Sequence, residues 1–213
     1  MKRTLLDTAM QLMQRGLIPS VSDVAEAAEV SRATAYRYFP SHAAMIQDAV
    51  DEALGPILDW NSDSDDAEER ISELLAFAYP RMEKYEATLR AALLLAIDQW
   101  TRRHAGTLGN EAAIVRGHRK DLLSDAIRPL RGQLGGKAFD KLRQSLSLIF
   151  GTEAFVVLKD IWRLDGEEAR RVAIWAAHAL VRAAIDEAAA AERIRPVQTT
   201  KRNAARRPRG KLN

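Results

Sequence analysis

Residues 20–39 read SVSDVAEAAEVSRATAYRYF, and this stretch predicts two short helices joined by a tight turn. Ser20 and Asp23 stand three apart. At that spacing a hydroxyl caps the first N–H groups of a helix, and an acidic side chain reaches back to the cap. Val24, Ala25 and Ala28 give the first helix, Val21 to about Ala28, a buried side, and the small Ala25 permits a close helix crossing. Val30 plugs the turn, and Ser31 caps a second helix from Arg32 to Phe39. Ala35 and Phe39, at i and i+4, face inward, leaving Arg32, Ala33, Thr34, Tyr36, Arg37 and Tyr38 pointing outward or along the edges. Two arginines, two tyrosines and a threonine are poor surface for a lone soluble domain. They suit a helix entering a DNA groove, where guanidinium and hydroxyl groups bond phosphates and base edges and rings lie along the sugar-phosphate wall.

The same helical periodicity extends in both directions, without strand-like alternation. Upstream, Leu5, Ala9, Leu12 and Met13 form an apolar stripe that Arg15-Gly16 closes with a basic last turn and a C-cap glycine. Downstream, Pro40-Ser41 restarts the chain, with Ser41 capping a helix that reaches Leu54 or Trp60. An acidic loop covers Asn61 to Asp66. A helix follows from Ala67 with a break or kink at Pro80, and another from about Glu86 to Arg103. After a Gly106–Gly109 loop, Asn110 is expected to cap a helix to about Ile127, and Pro129 to Gly136 forms a second loop. The last two helices are read as the longest. Lys137 to Trp162 has Ala138, Leu142, Leu146, Ile149, Ala154, Val157, Leu158 and Ile161 on one side. Glu167 to about Ala191 has Val172, Ala173, Ala176, Leu180, Ala183, Ala184 and Glu187 at similar spacing. Alanine-rich faces let axes approach closely, so this antiparallel pair forms half of a four-helix bundle. The fold class is all-α.

Among 213 residues, 47% are hydrophobic and 29% charged, an ordinary globular balance. There is no cysteine, which excludes disulfides, thiolate metal sites and cysteine nucleophiles. The four histidines, at 42, 104, 118 and 178, lack metal-ligand spacing, so no metal is expected; no cofactor is expected either. Leu5 to Ile18 is interrupted by Asp7, Gln11, Gln14 and Arg15, unlike the apolar core of a signal peptide. The longest apolar run, Ala91 to Ile97, is too short to span a bilayer, so no membrane partner and a cytoplasmic location are expected. The net charge of +3 is uneven: from Glu192 onward there are eight basic residues against one acidic. Residues 192–213 therefore read as a basic disordered tail that could add phosphate contacts, and the body is mildly acidic.

Leu5 through Val50 resembles the N-terminal domain of TetR-family transcriptional regulators: a first helix, the helix-turn-helix, then a restart at "YFPS" into a fourth helix. "VSRATAYRYF" is the most specific match. The segment from Gly151, "GTEAFVVLKDIWRLDGEEARRVAIWAAHALVRAAIDEA", is similar to the family's closing helix pair with much less specificity. The resemblance implies an N-terminal helix-turn-helix DNA-binding domain at 1–50 and a C-terminal helical ligand-binding and dimerisation domain at 51–191. It implies a homodimer through the two C-terminal helices and a double-stranded DNA operator as partner. A small-molecule effector in a cavity between the central helices would release the protein, as in a repressor. By the same resemblance Ser31, Arg32, Ala33, Thr34, Tyr36, Arg37 and Tyr38 would face DNA, Ser20 and Ser22 would touch the backbone, and His42 would take a phosphate position where the family often has lysine. Glu29 stands where the family usually has glycine, and the N-terminal arm is only Lys2 and Arg3. With one phosphate fewer neutralised by the protein, the salt slope of DNA binding falls by about 0.9.

Phe77, Met82, Tyr85, Leu94, Ile97, Trp100 and His118 are the candidate cavity residues, with Asp98 and Arg119 as further polar anchors. Solid core is the competing reading for apolar residues at helical spacing. The alternative function is a helical dimeric interaction protein with a vestigial DNA-binding helix. An all-helical enzyme is the least supported class, because no nucleophile elbow, phosphate-cradling loop or catalytic carboxylate pair can be named.

Overall fold

Local capping chemistry sets the helix ends in the first third of the chain. In the computed structural model, which describes residues 1–114 and 117–194, the helices in order are α1 (Lys2–Gln14), α2 (Val21–Ala27), α3 (Arg32–Tyr38), α4 (His42–Leu58), α5 (Ala67–Lys84), α6 (Glu86–His104), α7 (Arg119–Ala126), α8 (Gly136–Leu146), α9 (Thr152–Phe155) and α10 (Gly166–Ile194). A 3-10 turn, Arg128–Arg131, follows α7, and a π-helical stretch, Val156–Ile161, continues α9. The fold is all-α: helices joined by turns and loops, with no strand among the described residues.

Ser20 and Asp23 form the reciprocal capping box: Ser20 Oγ accepts from Asp23 N at 3.2 Å, and Ser20 N donates to Asp23 Oδ2 at 2.8 Å. Ser31 caps α3 through Thr34 N, and Ser41 caps α4 through Ala44 N, both at 3.1 Å. At the other ends, α1 and α2 close in the same way. Gly16 N and Leu17 N return to Met13 O and Leu12 O, while Glu29 N and Val30 N return to Glu26 O and Ala25 O. This closure needs a left-handed residue, and Gly16 (φ 82°) and Glu29 (φ 55°) supply it. A side chain at such an angle is strained. Glu29→Gly is therefore expected to raise stability by about 1 kcal/mol, read as a higher midpoint in urea unfolding.

The core is continuous from the N-terminal helices into the rest. α4 is one unbroken helix across residue 50, so the expected domain boundary falls inside it. α1 is fixed to α4 by Lys2–Asp48 at 2.6 Å and Arg3–Glu52 at 2.8 Å. The two residues read as an arm thus begin the first helix. α10 lies chiefly on α5 and secondly on α8. Its Ala169, Ala173, Ala177 and Val181 are fully buried, an i, i+4 row of small side chains that allows close approach.

Three expectations about helices need correction. Asn110 starts no helix. Buried Gln99 of α6 accepts from Ile114 N at 3.0 Å and donates to Ala112 O and Glu111 Oε1 at 3.0 and 2.9 Å, so these backbone groups bond to a side chain instead of to one another. Lys137–Trp162 is not one helix: α8 ends at Leu146, and Gly151 turns the chain at φ 139°, a conformation essentially reserved for glycine. Of the break or kink expected at Pro80, the break does not occur: α5 continues through that residue to Lys84. That proline is exposed, where water can replace the lost ladder bond.

Candidate nucleic-acid interface

Ala35 and Phe39, both fully buried, anchor α3 against the N-terminal core, and that anchoring decides which side chains remain outside. Ser20, Ser31, Arg32, Ala33, Tyr36 and Arg37 are exposed, and Ser22, Thr34 and Tyr38 are half-buried. Tyr36 is 45% exposed. The Arg37 guanidinium lies 5.2 Å from the centroid of the Tyr38 ring, and Tyr38 itself packs against the core. Arg37 has no ion pair with Asp48 among those the structure gives; Asp48 pairs with Lys2. Ser31 Oγ and Thr34 Oγ1 share a hydrogen bond at 2.9 Å at the N-terminal edge of α3. At the start of α2, bonds from Ser20 hold the Asp23 carboxyl below its ordinary pKa, with the positive charge of Arg32 adding a smaller push. The result is a short helix carrying two exposed cations and a projecting ring.

His42 differs from the rest of the expected contact set. It is half-buried, burial lowers its pKa against the opposing pull of Glu111 and Asp98, and its Nε2 is enclosed without a hydrogen-bond partner among the described residues. It turns toward the α6 side of the molecule rather than outward, and a neutral imidazole is a weak phosphate donor in any case.

The central helices enclose a cavity of about 90 Å³. Its walls come from Val50, Leu54 and Ile57 of α4, Leu89 and Ala92 of α6, and Phe150. Of the candidate residues, only Met82 and His118 line it, and the anchor Arg119 does too. Phe77, Leu94, Ile97 and Trp100 are exposed large apolar side chains, on the outer sides of α5 and α6, with the Trp100 and His104 ring centroids 4.0 Å apart and the rings tilted by 37°. Tyr85 lies between Arg81 and Lys84, 4.9 and 5.3 Å from its ring centroid, beside α1 rather than in the cavity. Helical spacing named a stripe on α6, but Leu89 and Ala92 sit on the opposite one. Gly151 and Thr152, which also line the cavity, were not among the candidates. The one available signal was Gly151 itself, a glycine interrupting an apolar helical pattern.

A second feature is an apolar face without a partner. Val172 and Trp175 on α10, Val157 and Ile161 on the π-helical stretch, and the adjoining Trp162 are all exposed, the last three at 46%, 68% and 69% and Trp175 at 74%. No helix among the described residues is long and apolar enough to cross a membrane. No cluster of three metal-ligating side chains occurs among them either. The basic tail lies outside the described residues apart from its first three, Glu192 to Ile194, which end α10.

Residues 5–49 match the family model described as bacterial regulatory proteins, tetR family. No curated protein matches the chain.

Proposed function

We propose that this chain, a TetR-family regulator by its residues 5–49, is a homodimeric repressor that a small-molecule effector releases from its operator. The N-terminal domain makes it a DNA-binding transcriptional regulator; the dimer, the sign of regulation and the effector are our reading. One observation carries it: α3 presents Arg32, Tyr36 and Arg37 outward on a scaffold locked by Ala35 and Phe39. Two such helices, related by a twofold axis, would enter successive major grooves about 34 Å apart, or a multiple of that, on a roughly palindromic site. The unpartnered apolar face on α10 and the π-helical stretch supports the dimer, because a patch of that kind marks an association surface.

Release follows from connectivity. Only Phe39, Pro40 and Ser41 separate α3 from α4, and α4 lines the cavity along its second half, while α6 also lines it and touches both α4 and α1. A ligand that binds better to one spacing of the recognition helices shifts dimers toward it, and only by its difference in affinity between the two states.

Selection of bound duplexes from a random DNA pool would supply the operator. On it, Tyr36→Ala and Arg37→Ala are each expected to weaken binding by about 1–3 kcal/mol with the dimer intact in sedimentation. If both variants hold the operator as tightly as the parent, the site assignment is wrong.

A further inference from the structure

Resting on that regulatory reading, we infer that the effector is a small neutral molecule, largely apolar, about one aromatic ring in size and carrying a single hydrogen-bonding group. The walls of the cavity are aliphatic and aromatic on most sides, and polar groups gather only where Gly117–Arg119 meets Gly151 and Thr152. Both basic side chains at that end already face carboxylates. Arg119 Nη2 is 2.7 Å from Glu153 Oε2 and its Nη1 donates to Ser147 O at 3.2 Å. His118 Nε2 faces Asp51 Oδ1 at 3.6 Å, too far for a hydrogen bond. An ionic ligand would enter an apolar space whose local charges are already matched, and would lose its hydration without an unmatched counter-charge in return. A neutral molecule leaves these pairs in place. Its one polar group can use the Thr152 hydroxyl or His118 Nε2, which is enclosed without a hydrogen-bond partner among the described residues.

Size narrows the class further. An apolar cavity of about 150 Å³ holds benzene, and this one measures about 90 Å³. A ring therefore fits only if a wall gives way. Four cavity residues, Val50, Leu54, Ile57 and Leu58, belong to α4, and Leu58, in its last turn, is already 38% exposed. α4, which follows α3 after three residues, thus contributes more of the wall than any other helix.

The test uses the full chain and three probes of one size: phenol (neutral), benzoate (anion) and benzylamine (cation), each followed by calorimetry and thermal shift. Phenol is expected to bind at least about tenfold more tightly than either ion and to raise Tm where they do not. Ala92→Phe fills the cavity from α6 and Leu54→Phe from its half-buried rim; each variant that keeps its helical circular dichroism is expected to lose phenol binding. Equal or tighter binding of benzoate or benzylamine, no binding by any probe, or undiminished phenol affinity in both folded variants would overturn the inference. DNA binding is measured separately. A chain that takes phenol but never binds selected DNA refutes the regulatory reading and leaves the cavity chemistry standing; a chain that binds DNA and takes only ions does the reverse.

Discussion

Trp175→Glu is expected to convert the protein to monomer at concentrations where the parent is a dimer, and to lower operator affinity by roughly 10²–10⁴-fold. Trp175 stands 74% exposed on α10, with Val172 one turn away and Ile161 and Trp162 exposed on and beside the neighbouring π-helical stretch. Large aromatic side chains left this open gain most from a partner surface, and aromatic anchors dominate association energetics. In a twofold contact one substitution appears twice, so two carboxylates enter an apolar interface. The loss on DNA is larger than the change at any contact atom. It arises because two recognition helices no longer share one body, and the second half-site loses its effective concentration. Helical content should not change, since the residue is solvent-facing within the single chain. Sedimentation equilibrium and a DNA titration check the two halves of the expectation. A variant that stays dimeric, or a parent that is monomeric at micromolar concentration, would remove this face as the dimer contact.

The contrast between the two ends of the chain explains what its sequence could reveal. Where structure is decided within four residues, residue identity suffices. Ser20, Ser31 and Ser41 cap helices because a hydroxyl at that position bonds an N–H two or three residues on, and all three do so here. Ala35 and Phe39 similarly fix which side of α3 stays outside. Where structure depends on which neighbour a helix meets, periodicity leaves the answer open. α10 has alanines nearly all round; the expected row of Val172, Ala173, Ala176, Leu180, Ala183, Ala184 and Glu187 shares only Ala173 with the fully buried row of Ala169, Ala173, Ala177 and Val181, and its Val172 is exposed. Both rows satisfy helical spacing, and only contact with α5 selects between them. The cavity walls were illegible for the same reason. Leu94, Ile97 and Trp100 form as regular a stripe as Leu89 and Ala92, but the first faces solvent and the second faces α4. The segment after Asn110 depended on a single distant side chain, Gln99, whose three hydrogen bonds to residues 111–114 no local pattern announces.

Arg70 was likewise silent in the sequence, yet its replacement carries the largest expected loss of stability. Its side chain is completely buried on α5, and it ties together two segments far apart in the chain. Nη1 donates to Ser62 O at 2.6 Å and Ser64 O at 3.0 Å, holding the loop before α5. Nε donates to Ala126 O at 3.2 Å, and Nη2 donates to Asp125 O at 3.1 Å and Asp125 Oδ2 at 2.8 Å. The guanidinium thus binds the last carbonyls of α7, where a cation is favoured by the helix dipole, and the Trp60 ring centroid lies 5.5 Å from its carbon. Arg70→Ala removes all of these hydrogen bonds at once. It leaves carbonyls unpaired in the interior and opens a void, so we expect a loss of about 3–5 kcal/mol out of a typical total of roughly 5–15. For a chain of this size that corresponds to a fall in Tm of roughly 6–20 °C. Arg70→Lys keeps the charge but lacks the planar fork that reaches carbonyls on two segments, and should recover less than half of the loss. If lysine restores full stability, charge alone accounts for the site. The consequence for regulation lies at the opposite end of α7, where His118 and Arg119 border the cavity. A lysine variant that still folds should show weaker ligand binding, because the wall carrying those two residues is no longer held at its far end.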